Sequence, residues 1–141
     1  MGTRRMRDLV VVFFTCNMLW GVAQAEVVVI VHPSNQQTLS DTDIKNLFTG
    51  KQKSFPDGSP VIVLNLPEGD PMQSAFNNKA LGRTDAQLKA FWSKVMFTGK
   101  GNPPKEVSSE DMLKLVAENP NTVGILDSSK ASSSVRIAAK Y

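Results

Sequence analysis

The sequence predicts a small α/β domain with a mostly parallel sheet flanked by helices. Every residue of Val27–Val31 is β-branched and apolar, and residues 61–64 form a second run without a polar position. A strand exposed on one face alternates between apolar and polar residues, so these runs indicate strands covered on both faces, as in parallel sheets. Between them, Ile44, Leu47 and Phe48 form the apolar stripe of a helix. The three elements predict a βαβ unit with a right-handed crossover.

Capping residues predict where the helices begin and end. Ser40 and Asp43 have the spacing of a capping box, and Gly50 stands where a left-handed residue ends a helix. Asp70, directly before a proline, predicts the start of a second helix, and Thr84 predicts the start of a third. The apolar residues of the third helix recur at helical spacing, and we interpret them as core rather than as a stacking surface: Leu88, Phe91, Trp92, Val95 and Met96.

The rest of the chain predicts one more helix and two more strands. Residues 55–58, Phe-Pro-Asp-Gly, predict a turn before the second strand, because Pro presets φ and Gly supplies a positive φ. Ser108 or Ser109 predicts the start of a short helix. Residues 122–126 predict a third strand, and residues 135–139 predict a last short one.

Residues 1–25 have the three parts of a secretory signal peptide. Arg4, Arg5 and Arg7 precede an apolar run, which ends at residues 23–25, Ala-Gln-Ala. The run is shorter than the ~20 residues of a spanning helix, so we expect cleavage rather than a membrane anchor. Residues 26–141 are then a single domain in the bacterial periplasm. Cys16 is lost with the signal, which excludes disulfides and thiolate metal sites.

Charge and composition exclude several classes of function. The net charge of +3 falls to +1 once the signal, with three basic residues and one acidic residue, is removed. No basic stretch stands out, so nucleic acid is not an expected partner. His32 is the one histidine, which is too few for a zinc site, and no nucleophile–base pair is evident. We therefore expect neither an enzyme nor a cofactor or metal.

The tetrapeptide Phe-Thr-Gly-Lys occurs twice, at residues 48–51 and 97–100. Both copies follow a predicted helix, so each can be a C-cap with Gly in the left-handed position and Lys near the free carbonyls. Two similar turns that carry lysine can also serve one partner surface. The sequences around the two copies do not match, so we infer no duplication.

The order and spacing of these motifs resemble a known family. A valine-rich strand ends in His-Pro-Ser-Asn at residues 32–35, and the first helix closes in the first copy of the tetrapeptide. Ser-Ala-Phe at residues 74–76 and Phe-Trp-Ser at residues 91–93 precede the second copy, and Val-Gly-Ile-Leu follows at residues 123–126. Together they resemble the short phosphate ABC transporter substrate-binding proteins, across essentially all of residues 26–141.

That resemblance implies one lobe of the type II periplasmic-binding-protein fold and a phosphate-like ligand. Relatives with two lobes hold an oxyanion with helix N-termini, hydroxyl groups and an arginine. Helix starts and strand ends are suited to anions because they present free N–H groups. The implied ligand residues follow the first two predicted strands: Ser34, Asn35, Gly69, Asp70, Gln73 and Ser74.

Two features depart from the family pattern. Relatives often carry arginine at the position of Gln73, and an amide lacks the charge that strengthens contacts to an oxyanion. Asp70 either accepts a hydrogen bond from a protonated oxyanion or only caps its helix, and we favour the cap. The chain is also too short for two lobes, so a ligand would be half-enclosed or shared across a homodimer.

Two functions remain after these arguments. The first is a periplasmic binding protein for phosphate or a related oxyanion, linked to ABC-type transport through an inner-membrane transporter or a sensor protein. The second is a non-catalytic interaction or sensor-accessory module that kept the fold and lost the ligand. The resemblance favours the first, whereas Gln73 and the short chain favour the second.

Overall fold

A computed structural model of the chain describes residues 26–141. The predicted signal peptide and Cys16 lie outside the described residues. Four helices and five strands follow one another in an α/β arrangement. The strands are β1 (Val27–Val31), β2 (Ile62–Asn65), β3 (Lys105–Glu106), β4 (Thr122–Asp127) and β5 (Arg136–Lys140). The helices are α1 (Asp41–Phe48), α2 (Pro71–Phe76), α3 (Asp85–Phe97) and α4 (Ser109–Glu118). A π-helical segment, Asn77–Leu81, continues α2, and a 3-10 turn, Ser128–Lys130, follows β4.

The predicted caps are confirmed. The Ser40 side chain accepts a hydrogen bond from the backbone N–H of Asp43, whose carboxylate accepts one from the Ser40 N–H in return. Thr84 begins α3 in the same way, and the Asp70 carboxylate caps α2. Gly50 has a φ of 76°, as a residue that ends a helix in the left-handed region should. These ends were predictable because each depends on residues two to four positions apart.

The five strands form one mixed sheet in the order β3-β2-β4-β1-β5. β2 pairs in parallel with β3 and β4, whereas β1 pairs antiparallel with β4 and β5. The α/β class is confirmed, but only half of the strand pairings are parallel. β4 lies between β1 and β2, antiparallel to the first and parallel to the second. Because β1 and β2 therefore run in opposite directions, β1, α1 and β2 do not form the predicted βαβ unit. β1 is fully buried as its composition predicted. An apolar composition indicates that both faces of a strand are buried, but it does not indicate whether the neighbouring strands are parallel or antiparallel.

β2 is less covered than its apolar sequence predicted. Leu64 is buried, but Ile62 is 50% exposed. The register explains the difference: the two residues of β3 pair with Leu64 and Asn65, so the start of β2 extends past β3. On that side Ile62 has no neighbouring strand within residues 26–141.

The core lies on both sides of β1 and β4. Phe48 of α1 packs edge-to-face on Phe76 of α2, with ring centroids 4.6 Å apart, and Met112 of α4 packs directly over Gly124 of β4. Aromatic edge-to-face pairs stabilise a core beyond their buried area. The first contact joins α1 to α2, and the second packs α4 against the sheet.

The predicted core role of α3 is wrong for most of its stripe. Leu88 is buried, but Phe91, Trp92 and Val95 are only partly buried and Met96 is 47% exposed. α3 packs mainly on the π-helical segment, at the side of the sheet that narrows to the two-residue β3. Helical periodicity shows which face of a helix is apolar, and the tertiary structure decides whether another element covers that face.

Candidate functional site

The parallel strands β2, β3 and β4 end at one edge of the sheet, where open α/β sheets bind ligands. The segments that follow these ends line an open pocket of about 660 Å³, which we call the strand-end pocket. Its walls combine hydroxyl groups, carboxylates, one lysine and two apolar residues: Pro67, Asp70, Ser108, Ser109, Glu110, Leu113 and Lys130.

Helix α4 begins in this pocket. The Ser108 hydroxyl caps α4 by accepting a hydrogen bond from the backbone N–H of Asp111, at 3.2 Å. The first turn of a helix carries N–H groups without intrahelical partners and a partial positive charge, so this wall favours an anion. Lys130 adds a full positive charge, and its ammonium group donates to the Ser109 hydroxyl at 3.5 Å.

The turn that carries Lys130 is held by Asp127. The backbone N–H and the hydroxyl of Ser129 both donate to the Asp127 carboxylate, at 2.9 Å each. These hydrogen bonds, with a smaller contribution from the charge of Lys130, lower the pKa of Asp127 below its ordinary value. The carboxylate therefore stays ionised, and the turn stays closed, at neutral pH.

Two carboxylates oppose the positive charge. Glu110 lines the pocket, and so does Asp70, which caps α2 by accepting from the backbone N–H of Met72 at 2.8 Å. A fully ionised oxyanion is repelled by both carboxylates, whereas a protonated oxyanion can donate its hydrogen to one of them. The strand-end pocket is therefore better suited to a protonated oxyanion than to a fully charged one.

Ser34 and Asn35 do not line this pocket, so the structure does not bring all of the predicted site residues together. β1 runs antiparallel to β4 and therefore ends at the opposite edge of the sheet from β2. Ser34 forms a local hydrogen bond with the His32 ring at 2.7 Å. Asn35 is buried, and its backbone carbonyl accepts from the Arg136 guanidinium at 3.0 Å. The predicted convergence of the loops after the first two strands assumed parallel strands.

Gln73 and Ser74 belong to a polar network that extends from the buried Gln73 to the exposed Asp85. Gln73 accepts from the backbone N–H of Leu66 and donates to the Asn77 side chain, at 2.9 Å in both cases. Asn77 and Ser74 both donate to the Asp85 carboxylate, at 2.9 and 2.5 Å. The network ties the end of β2 to the start of α3.

This network explains why glutamine occupies position 73. The side chain is only 7% exposed, and both ends of its amide have partners. An arginine here would bring a charge into a buried position where a neutral amide is already fully hydrogen-bonded, and burying a charge is costly. Gln73 thus has a structural role within the protein, and its part in ligand binding stays a prediction.

Of the six predicted site residues, Asp70 lines the strand-end pocket, and Gly69 precedes it as an exposed turn residue with a φ of 86°. Lys130 lines the pocket without any sequence motif that predicts it. It lies in a serine-rich segment without helical or strand periodicity, so only the pairing of β4 with β2 places it beside Asp70.

Within residues 26–141, no group of three or more His, Cys, Asp or Glu side chains is arranged to hold a metal ion. The helices of this part of the chain are also too short or too polar to cross a membrane.

Solved structures share this fold. A phosphate transport receptor of the ABC type from Vibrio cholerae superposes with a TM-score of 0.64 at 16% identity, over 80% of this chain and 46% of that one. A Clostridium perfringens protein, assigned as a phosphate ABC transporter substrate-binding protein and solved with bound phosphate, gives 0.63 at 22% identity, over 80% and 44%. PstS from Borrelia burgdorferi gives 0.59 at 11% identity, over 80% and 47%.

The resemblance stated from the motifs is thus confirmed at the level of the fold. The chain spans less than half the length of these three structures, and it corresponds to a single-lobe fragment of them. No family model matches the sequence, and no curated protein matches it.

Proposed function

We propose that this chain is an exported binding protein for phosphate or a related small oxyanion and that it serves an ABC-type transporter. The observation that carries the proposal is the fold shared with phosphate receptors, one of them solved with bound phosphate. The strand-end pocket supports it, because a helix N-terminus and a lysine face a cavity at the edge where such sheets bind ligands.

In this proposal Lys130 and the first turn of α4 hold the oxyanion. Lys130 supplies the charge, and the Ser109 hydroxyl beside it supplies a further donor. Asp70 accepts the hydrogen of a protonated oxyanion and so favours hydrogen phosphate over sulfate, which carries no proton near neutral pH. A single lobe leaves the ligand half-enclosed, so we expect weaker binding than in a closed two-lobe cleft.

Calorimetry of the protein against phosphate and sulfate tests this proposal. Phosphate should bind with an affinity that falls at higher salt, and sulfate should bind more weakly than phosphate. The Lys130→Gln variant should lose about tenfold in affinity, since hydrogen bonds to charged groups contribute about 1.5 kcal/mol or more. The matched control is Lys114→Gln, which removes an exposed lysine of α4 outside the pocket. Equal losses in both variants would place the ligand elsewhere.

Another chain can complete a pocket that one lobe leaves open. A second copy of the chain, or a membrane transporter or sensor protein, could supply the other wall of the pocket. Sedimentation velocity with and without phosphate distinguishes a ligand-dependent homodimer from a monomer.

A second candidate function is the interaction module that kept the fold and lost the ligand. It is favoured by the internal network, because Gln73 and Ser74 have protein partners and the pocket contains two carboxylates. Absence of heat with both oxyanions, in a protein that unfolds cooperatively, would favour this candidate over the receptor.

A further inference from the structure

A second and larger concave surface lies at the start of β2, away from the strand-end pocket. This lysine groove has a volume of about 920 Å³ and runs between the turn after α1, the start of β2, the partly exposed face of α3 and the loop before β3. Apolar and aromatic residues line it, including Ile62, Phe91, Trp92 and Val95. The groove is defined by these residues and by its five lysines: Lys51, Lys53, Lys94, Lys100 and Lys105.

The charge of the groove is of one sign. Among the residues that line it, within the described part of the chain, there is no aspartate or glutamate. A shallower depression beside it shares Phe91 and Lys94 and adds Arg83, whose guanidinium lies 4.6 Å from the centre of the Phe91 ring. Residues 26–141 carry a net charge of only +1. The fold therefore brings together lysines that lie far apart in the sequence.

Trp92 forms the apolar surface at the middle of the groove. Its indole lies against Gly50, where an added Cβ would come within 3.2 Å of the ring, and it packs edge-to-face on Phe91 with centroids 5.0 Å apart. The side chain is only partly buried, so part of the ring faces the groove. Tryptophan is among the residues that contribute most to protein–protein binding.

The two Phe-Thr-Gly-Lys turns meet at this groove. Gly50 and Gly99 have positive φ, so both turns are helix C-caps, and the lysine after each glycine lines the groove. Phe48 of the first turn is buried against Phe76, whereas Phe97 at the same position of the second turn is 93% exposed. Two distant segments thus place Lys51 and Lys100 on one surface.

We propose that the lysine groove docks an acidic polypeptide segment of a partner protein. Carboxylates of the segment pair with Lys51 and Lys100, and an apolar side chain between them packs on Trp92. The one-signed charge favours this occupant over a neutral peptide, because complementary charge speeds association and selects partners. The exposed aromatic and aliphatic residues give the segment an apolar surface that a small anion does not need. The groove begins beside Ile62 and the strand-end pocket follows Asn65, so the two sites lie at opposite ends of β2.

Fluorescence anisotropy of a labelled peptide tests the proposal. The probe is a twelve-residue peptide in which glutamate alternates with leucine and phenylalanine, compared with its glutamine counterpart. The glutamate peptide should bind, more weakly at high salt, and the glutamine peptide should bind poorly. The double variant Lys51→Gln, Lys100→Gln should weaken binding about two- to thirtyfold, since exposed ion pairs contribute about 0.2–1 kcal/mol each.

The matched control is the double variant Lys79→Gln, Lys114→Gln, which removes the same charge from exposed positions outside the groove. It should bind the glutamate peptide like the wild type. All four lysines are exposed, so none of these changes should unfold the protein. The groove variant should also keep the phosphate affinity of the wild type, which separates this proposal from the one above.

Four results would overturn the proposal. The first is no binding of the glutamate peptide, and the second is an equal loss in the groove and control variants. The third is tighter binding of a single-stranded oligonucleotide of similar length through the same lysines, because the groove would then recognise nucleic acid. The fourth is self-association of the wild type that the groove variant abolishes, because the occupant would then be a second copy.

Discussion

Replacing the phenylalanine of each Phe-Thr-Gly-Lys turn by alanine should give very different losses of stability. Phe48 is 2% exposed and packs on Phe76, whereas Phe97 is 93% exposed. A buried phenylalanine replaced by alanine costs about 3–5 kcal/mol, a large part of the ~5–15 kcal/mol of a typical domain. An exposed side chain away from such contacts changes stability by about 0.5 kcal/mol or less. Urea denaturation followed by far-UV circular dichroism measures both free energies.

The comparison is controlled because the two turns have the same local sequence. If Phe48→Ala leaves too little folded protein to measure, Phe48→Leu should still fold and show a smaller loss, since it keeps most of the apolar volume. A loss above about 1.5 kcal/mol for Phe97→Ala would refute the reasoning, because it would exceed the range of exposed substitutions. Equal losses for Phe48 and Phe97 would mean that α3 is covered in solution.

Three further outcomes are expected. Gln73→Ala should cost about 1–3 kcal/mol in urea denaturation, because it leaves the buried Leu66 N–H without its acceptor, and Gln73→Arg should destabilise rather than tighten phosphate binding. Burial, and to a lesser degree the Asp41 carboxylate, raise the pKa of Tyr141. The unfolded chain therefore loses this proton before the folded protein does, so the folded protein loses stability as pH rises above about 10. Tyr141→Phe should flatten that decline in alkaline denaturation curves. Mass spectrometry of the exported protein should show Glu26 as its first residue, and an intact leader would contradict cleavage.

Much of the local structure was predictable from sequence. The caps at Ser40, Asp70 and Thr84 and the turn that ends at Gly58 agree with the structure. The first strand lies where its β-branched run predicted it. Each of these features depends on residues within a few positions of one another, so a single sequence contains the information.

The candidate site was predictable only in part. Asp70 caps α2 and lines the strand-end pocket, and its position was predictable because a strand end followed by a capped helix is a local pattern. Ser34 was assigned to the same site on the assumption of parallel strands, and Lys130 was missed because nothing near it in sequence indicates a cavity. Gln73 was interpreted by comparison with an arginine, but its partners Leu66 and Asn77 give it a structural role.

The sequence by itself determined the α/β class, the burial of β1 and the ends of the helices, because composition and short-range hydrogen bonds decide them. Only the tertiary structure decided the direction of β1 against β4, where Val27 pairs with Asp127 a hundred positions away, and the exposure of the apolar face of α3 around Trp92. Strand direction and the covering of a helix face depend on contacts between distant segments. The same apolar run satisfies either strand direction, and the same amphipathic helix can face a core or a partner.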